Sequence, residues 1–275
     1  MLALLLSFLN YAAAAPEAVI PLRPYLKYQT TMDATVGGVE GTYLFDTGEG
    51  VTAISEQTAA RIACHPWGRI TGYRMTGERD GNPHCDNLSF QAAGVALPIP
   101  SAITLDIMKL LGPDVPHIDG AIGLDAFAGR VITIIPRSCI IIESSQSLQQ
   151  RIAVSKPLLI RLVRDAEGVA LSIDTGVPTR DGLAWMELDS GNGGTFVLAN
   201  HVAELFGLSR DQTDPVQSSF ALQNGVSVSG LIRTRDLIMD GDIGARFLNN
   251  WNLTLDLEHG EAWIAPHFST DVSCR

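Results

Sequence analysis

Two aspartates, each followed by a hydroxyl residue and a glycine, are the residues of this chain best suited to acid–base chemistry as a pair. They stand in Phe45-Asp46-Thr47-Gly48 and Leu188-Asp189-Ser190-Gly191. When two carboxyl groups share a site, repulsion raises the pKa of one and leaves the other ionised, and the pair can then activate water for attack on an amide. This chemistry needs neither a metal nor a cofactor, and we expect none. The repeat predicts hydrolysis with Asp46 and Asp189 as the catalytic residues.

A third triplet of the same kind, Asp174-Thr175-Gly176, precedes the second motif. It is followed by Val177-Pro178 and not by a helical pattern. Because Asp, Thr and Gly all form turns, we interpret Gly176–Gly182 as a turn. Asp174 then ends the first strand of a hairpin whose second strand carries Asp189, and it is left out of the pair.

Strand patterns dominate the elements that must position these aspartates. Apolar and β-branched runs such as Val131–Ile135 and Leu253–Leu257 are separated by glycine-rich turns. Helical patterns are few: Ser55–Ile62 follows the first motif with Ser55 as its cap, and Ala199–Leu208 follows the second with Asn200 as its cap. The sequence therefore predicts a mostly β chain with one short helix behind each aspartate.

The two halves of the chain repeat the same order of parts. A hairpin precedes each aspartate, with Tyr25–Val36 as its first strand in one half and Ala170–Asp174 in the other, and an Ile-Gly pair and a further strand follow. This order indicates internal duplication. We predict halves at residues 16–143 and 157–275, joined by a polar linker at residues 144–156.

Composition and the first residues point to an exported protein that does not bind nucleic acid. The chain has a net charge of -11, whereas binding to nucleic-acid phosphates needs a basic surface. Residues 1–15 are apolar and end in small residues, which predicts a signal peptide cleaved near Ala13 to Ala15; a buried N-terminal helix is the alternative. No other segment is long and apolar enough to predict a membrane span, so we expect none after processing. We expect a periplasmic or secreted location.

The four cysteines are even in number, which permits two disulfides in an exported chain. Their proximity in sequence and the division into halves favour Cys64–Cys85 and Cys139–Cys274, although two other pairings remain open. There is no CxxC, and no histidines have the spacing of metal ligands. A serine hydrolase is disfavoured because no GxSxG occurs.

Taken together, these residues resemble an aspartic protease of the pepsin and retropepsin type, nearest to a single-chain bacterial retropepsin-like protein. The resemblance spans about residues 22–266. It implies a bilobal, pepsin-like acid-protease fold with two related β-barrel-like lobes and short helices. It also implies an exported aspartic endopeptidase that acts as a monomer on a peptide or protein bound in extended form.

The resemblance assigns roles to residues around the pair. Supporting residues cross-link, turn or cradle the two loops, and they are Thr47, Gly48, Ser190, Gly191, Ile122, Gly123, Ile243 and Gly244. A flap is expected at residues 69–81, where Gly72, Tyr73 and Met75 would contact substrate and Cys64–Cys85 would clamp the base. Residues 220–230 form a second, weaker flap candidate.

Three residues depart from the family pattern. Glu49 and Asn192 stand where a small residue is usual, and Asp242 stands where the family is apolar. A carboxylate at either place would raise the pKa of a neighbouring aspartate. These departures favour an alternative, in which the chain is a catalytically inactive peptide-binding protein that keeps the aspartic-protease fold.

Overall fold

The computed structural model describes residues 15–194, 196–268 and 274. The predicted signal peptide falls on residues 1–15, so all but its last residue lies outside this part of the chain. Within the described ranges, no helix has the length and apolar character of a membrane-spanning segment.

The described chain is mostly β, which confirms that part of the fold prediction. Eleven strands lie in the first half: β1 Ala18–Pro21, β2 Arg23–Tyr25, β3 Gln29–Val36, β4 Val39–Phe45, β5 Ala53–Ile54, β6 Trp67–Tyr73, β7 Arg79–Ala92, β8 Val95–Thr104, β9 Gly120–Ile122, β10 Val131–Ile135 and β11 Cys139–Ile142. Ten more follow: β12 Lys156–Leu158, β13 Ile160–Val163, β14 Ser172–Thr179, β15 Gly182–Asp189, β16 Phe196–Ala199, β17 Val216–Ala221, β18 Ser227–Arg235, β19 Gly241–Gly244, β20 Trp251–Asp256 and β21 Glu261–Pro266.

The helices are short. The α-helices are α1 Glu56–Arg61, α2 Ile107–Leu111, α3 Ser145–Ile152 and α4 Ala245–Leu248, and single 3-10 turns occur at Leu124–Phe127, Ala166–Gly168 and Ala203–Phe206. Helix α1 begins after Ser55, whose hydroxyl accepts a hydrogen bond from the Thr58 amide at 3.0 Å, as the predicted cap should.

The strands form three sheets. An eight-stranded sheet takes all its strands from the first half, in the order β2-β3-β4-β9-β5-β8-β7-β6. A seven-stranded sheet takes all of its strands from the second half, in the order β13-β14-β15-β19-β16-β18-β17. The third sheet, β1-β11-β10-β20-β21-β12, takes three strands from each half and joins them where β10 pairs with β20.

The shared six-stranded sheet is stabilised by apolar runs and by hydrogen bonds to one buried carboxylate, that of Glu143. β11 is buried along its whole length, as expected for a β-branched run covered on both faces. Thr133 on β10 contacts the hydroxyl of Thr254 on β20 at 2.9 Å and donates to Glu143 at 2.6 Å. Arg151 of α3 also binds Glu143, at 3.1 Å, so the buried carboxylate is paired.

Two disulfides join Cys64 to Cys85 and Cys139 to Cys274, the pairs that the sequence favoured. The first ties the residues after α1 to β7, and the second ties β11 to the C-terminal region. Disulfides form and persist in oxidising compartments, so they indicate a protein that functions outside the reducing cytosol.

Two local predictions were wrong, and the predicted linker contains a helix that was not predicted. The segment 144–156 is not only a linker, because Ser144 and Ser147 form a reciprocal cap that starts helix α3. The helix expected over residues 199–208 is reduced to one 3-10 turn, since Ala199 still belongs to β16 and Asn200 caps nothing. The turn expected over residues 176–182 is shorter, because β14 continues to Thr179.

Candidate functional site

Both aspartates stand at the ends of strands that run beside a short parallel strand from the same half. Asp46 follows β4, and Asp189 is the last residue of β15. Parallel pairing with β9 and β19 places Ile122 and Ile243 beside the residues that precede the aspartates. The Asp46 amide donates to the Ile122 carbonyl at 3.1 Å. The two predicted isoleucines therefore lie next to the loops that they were expected to support.

The glycines after these isoleucines sit where the chain comes too close for a side chain. A Cβ on Gly123 would lie 2.9 Å from the carboxylate of Asp125, and the Gly123 amide donates to Thr52 at 3.1 Å. A Cβ on Gly244 would overlap the backbone carbonyl of Asn192. The close approach of the Asp125 side chain at Gly123 and of the Asn192 backbone at Gly244 favours glycine at these positions.

The two aspartate loops are cross-linked by their hydroxyl residues. The Thr47 amide donates to the Ser190 hydroxyl at 3.0 Å, and the Ser190 amide donates to the Thr47 hydroxyl at 2.9 Å. The hydroxyls themselves donate onward to main-chain carbonyls of the opposite strand, at 2.5 Å to Leu188 and 3.2 Å to Phe45. Four hydrogen bonds thus fix the two loops against each other.

The carboxyl groups of Asp46 and Asp189 meet between these loops, close enough to hydrogen-bond to each other. Asp46 accepts from the amides of Gly48 at 2.9 Å and Gly191 at 3.0 Å. Asp189 accepts from the amides of Gly191 at 2.7 Å and Asn192 at 2.9 Å. The Gly191 amide therefore bridges both carboxylates, and the two side chains are 8% and 9% exposed.

The surroundings raise the pKa of both members of the pair. Burial, then the charges of Asp189 and Glu49, raise the pKa of Asp46 well above its ordinary value, against a lowering by the Gly48 amide. Burial also raises the pKa of Asp189, although the hydrogen bond from Asp46 and two backbone amides oppose it. A protonated Asp46 donating to Asp189 fits these directions.

Four further acids crowd the pair, and sequence analysis had noticed only two of them. Burial and the charges of Asp125 and Asp189 raise the pKa of Glu49 to about 8, and burial raises that of Asp125 to about 6. Burial and the charge of Asp189 raise the pKa values of Glu187 and Asp242 well above their ordinary values. Glu187 lies two residues before Asp189 on one strand, and this spacing alone was a signal that both share a face.

Asn192 and Asp242, two of the departures from the family pattern, are bonded to each other. The Asn192 amide nitrogen donates to Oδ2 of Asp242 at 2.8 Å, and its oxygen accepts from the Gly194 amide at 2.9 Å. The other oxygen of Asp242, Oδ1, is buried and has no hydrogen-bond partner among the described residues.

Asp174 does not join this pair. It lies within β14, where Arg161 binds it through Nε at 2.9 Å and Nη2 at 2.7 Å. Burial raises its pKa, and the Arg161 guanidinium opposes that change.

The β6–β7 hairpin, residues 67–92, reaches from the first half to the second. At its tip the carbonyl of Met75 accepts a hydrogen bond from the amide of Ile238 at 2.9 Å. Met75 also packs against an apolar cluster that includes Leu237 and Val197. Tyr73 is 65% exposed and Gly72 has open space around it, so neither is enclosed at the site. Residues 220–230 lie in a second hairpin, β17–β18.

No cluster of three or more His, Cys, Asp or Glu suited to holding a metal ion occurs among residues 15–194, 196–268 and 274.

Two solved structures share the fold of this chain. The basic 7S globulin from soybean has a TM-score of 0.61 and 12% sequence identity, covering 93% of this chain and 97% of its own. Conglutin gamma, a basic 7S globulin from lupine seeds, has a TM-score of 0.54 and 10% identity, covering 92% of this chain and 96% of its own. No family model and no curated protein sequence matches the chain.

These findings correct two predictions. The assignment to the pepsin and retropepsin family is wrong, because the similar structures are seed globulins and no family model matches. The prediction of an aspartic endopeptidase is wrong with it. The resemblance rested on two short triplets and two Ile-Gly pairs, and these residues determine how a pair of loops is built without determining an activity.

Proposed function

We propose that this chain is a peptide-binding protein without peptidase activity. A carboxylate pair can hydrolyse an amide only if one member is ionised and takes a proton from water. Here burial raises the pKa values of both members, and the charges of Asp189 and Glu49 raise that of Asp46 further. A raised pKa in both members disfavours the ionised carboxylate that catalysis needs, which supports a binding role over catalysis.

We propose further that the chain is bilobal, with lobes at residues 16–143 and 157–275. The eight-stranded and seven-stranded sheets each draw on one half, and the six-stranded sheet draws equally on both, which supports this division. The aspartate loops would then lie at the junction, where Thr47 and Ser190 hold them together.

The β6–β7 hairpin is the observation that carries the binding role. Its tip is fastened to the second half by the bond between Met75 and Ile238. Its charges act on Glu49, beside the first aspartate: that of Arg74 lowers the pKa and that of Asp80 raises it. We infer that a hairpin placed beside one loop and fastened to the opposite half covers a cleft, where an extended peptide would pair its backbone as an added strand.

We also propose export to the periplasm or the exterior after cleavage of residues 1–15, and action as a monomer. The two disulfides support the oxidising location.

The test uses residues 16–275, produced with both disulfides, and a mixed library of fluorescent heptapeptides. We expect no cleavage from about pH 3 to 7, where carboxylates titrate, and binding that is detectable by fluorescence anisotropy. Cleavage that disappears in Asp46→Asn and Asp189→Asn, but persists in Asp174→Asn, would overturn the proposal. Failure of every peptide to bind would overturn it as well.

A matched pair of variants tests the hairpin. Ile238→Pro removes the amide that donates to Met75, whereas Ile238→Ala keeps it. If the fastened hairpin retains the peptide, the proline variant releases bound peptide faster than the alanine variant. Equal release rates would exclude the hairpin as a lid.

A further inference from the structure

A row of charged side chains crosses the seven-stranded sheet on one face. The register places Arg161 opposite Asp174, Asp174 opposite Glu187, and Glu187 opposite Asp242. Residues directly opposite on neighbouring strands share a face, with Cβ atoms roughly 4.5–5.5 Å apart. Three carboxyl groups therefore stand side by side, an arrangement that is destabilising when all three are charged.

The row lies on the same face as Asp189. Glu187 and Asp189 are two residues apart on β15, so their side chains point to the same face of the sheet. Met186 and Leu188 point to the opposite face, where they belong to the apolar core. Beyond Asp242 the row continues to Val197, against which the hairpin tip packs. The acids thus share a face with Asp189, and the hairpin tip packs against the apolar cluster at the far end of their row.

Only the outermost acid of the row has a cation. Arg161 binds Asp174 at 2.7 Å and lies 4.8 Å from the ring centroid of Trp185. Glu187 is 8% exposed and is hydrogen-bonded to Ser172, and Asp242 is 1% exposed. Within the described ranges, neither of these two acids forms an ion pair, and Oδ1 of Asp242 has no hydrogen-bond partner.

The far end of the row carries a second cation that does not reach Asp242. Arg233 is opposite Val197, one strand further on, and its buried Nε has no partner among the residues described. The strands of the row carry Arg161, Asp174, Glu187, Asp189 and Arg233, and helix α4, which also packs against β19, carries the exposed Arg246. None of these arginines binds the unpartnered Oδ1 of Asp242.

We propose that the cleft binds a lysine or arginine side chain of the peptide, with its cation between Asp242 and Glu187. This inference rests on the proposed peptide-binding function and names the side chain that the site selects. A cation placed there supplies the missing donor to Asp242 and lets both acids ionise, so the cost of burying them is offset by ion pairs. An apolar or acidic side chain at the same place leaves the oxygen unpaired.

The experiment compares three sets of fluorescein-labelled heptapeptides. The sets carry lysine, norleucine or glutamate at each position in turn on an otherwise constant polar backbone, and dissociation constants are measured by anisotropy at pH 7. We expect the best lysine peptide to bind at least about tenfold more tightly than its norleucine counterpart, the factor that corresponds to one pKa unit of differential interaction. Equal affinities would overturn the inference while leaving the proposed function intact. No binding by any set would overturn both.

Isosteric variants identify the acids responsible. In Asp242→Asn and Glu187→Gln, the ratio of the norleucine to the lysine dissociation constant should fall towards one. The norleucine peptide should bind these variants as it binds the wild type. Asp114→Asn, on an exposed loop, is the matched control and keeps the preference. Thermal unfolding followed by circular dichroism checks that each variant is folded. A preference that survives both cleft variants would place the cation elsewhere and refute the assignment.

A second measurement is independent of the variants. Because a bound cation lowers the pKa values of Asp242 and Glu187, calorimetry in buffers of different ionisation enthalpy should detect more protons released per lysine peptide than per norleucine peptide at pH 6. Equal proton release for the two peptides would contradict the proposed contact.

Discussion

Glu49→Gln should stabilise the protein at neutral and alkaline pH and leave it unchanged in acid. The pKa of Glu49 rises from 4.5 to about 8 in the folded state, first because the group is buried and then because Asp125 and Asp189 repel its charge. An unfolded chain releases this proton near pH 4.5, whereas the folded chain retains it. Between these two pH values the unfolded state therefore binds fewer protons, and the free energy of unfolding falls as pH rises.

The magnitude follows from the two pKa values. Each factor of ten in proton affinity corresponds to about 1.4 kcal/mol. The raised pKa of Glu49 therefore lowers the free energy of unfolding by about 5 kcal/mol at most once the pH reaches about 8. Although burial dominates the shift, part of Glu49 still touches solvent, and water screens its charge there, so we expect about half of that amount. Glutamine keeps the size of the side chain and never ionises, so the variant avoids this cost.

Urea unfolding at pH 4, 6, 7 and 8.5, followed through the four tryptophans, measures the effect. We expect equal unfolding free energies at pH 4 and a difference that grows to about 2 kcal/mol in favour of the variant at pH 8.5. Glu40→Gln, at an exposed position on β4, is the control and should follow the wild type throughout. If Glu49→Gln also follows the wild type at every pH, Glu49 does not hold its proton and the account of the crowded acids is refuted.

Two further predictions concern stability. Gly191→Ala should lose about 3 kcal/mol or more in urea unfolding, because a Cβ there overlaps the Asp46 carboxylate; Gly72→Ala, which meets no atom within 4 Å, should change by less than about 0.5 kcal/mol, and equal losses would contradict the close approach. Replacing Cys139 and Cys274 together by alanine should cost about 5 kcal/mol against about 3 kcal/mol for the other disulfide, since they close loops of separation 135 and 21. A smaller loss for the longer loop would show that denatured-chain entropy does not set the effect.

Local pattern was enough to predict which residues meet at the site. Asp46 and Asp189 come together because each motif combines a strand, a hydroxyl residue and a glycine, and this combination is visible within four residues. The pattern of strands and turns was enough to predict a mostly β chain, because β-branched runs alternate with turn residues along its length.

Sequence reasoning failed where tertiary contacts decide. Helix α3 was taken for a linker because its residues are polar, yet the caps at Ser144 and its bond from Arg151 to buried Glu143 hold it against the six-stranded sheet. The row from Asp174 to Asp242 could not be read along the chain, because its members come from three strands that are joined only by register. The motif predicted an activity for the same reason, since four residues carry no information about the acids packed around them.

The pairing of β10 with β20 has a consequence for how the chain is made. β10 ends at Ile135 and β20 begins at Trp251, so residues 136–250 are made before the strand that covers this edge begins. At roughly 5–20 residues per second, synthesis leaves this Val- and Ile-rich edge uncovered for about 6–23 s. Uncovered apolar edges recruit strands from other chains. We therefore expect the nascent first half to depend on a holding chaperone until the last quarter of the protein has emerged.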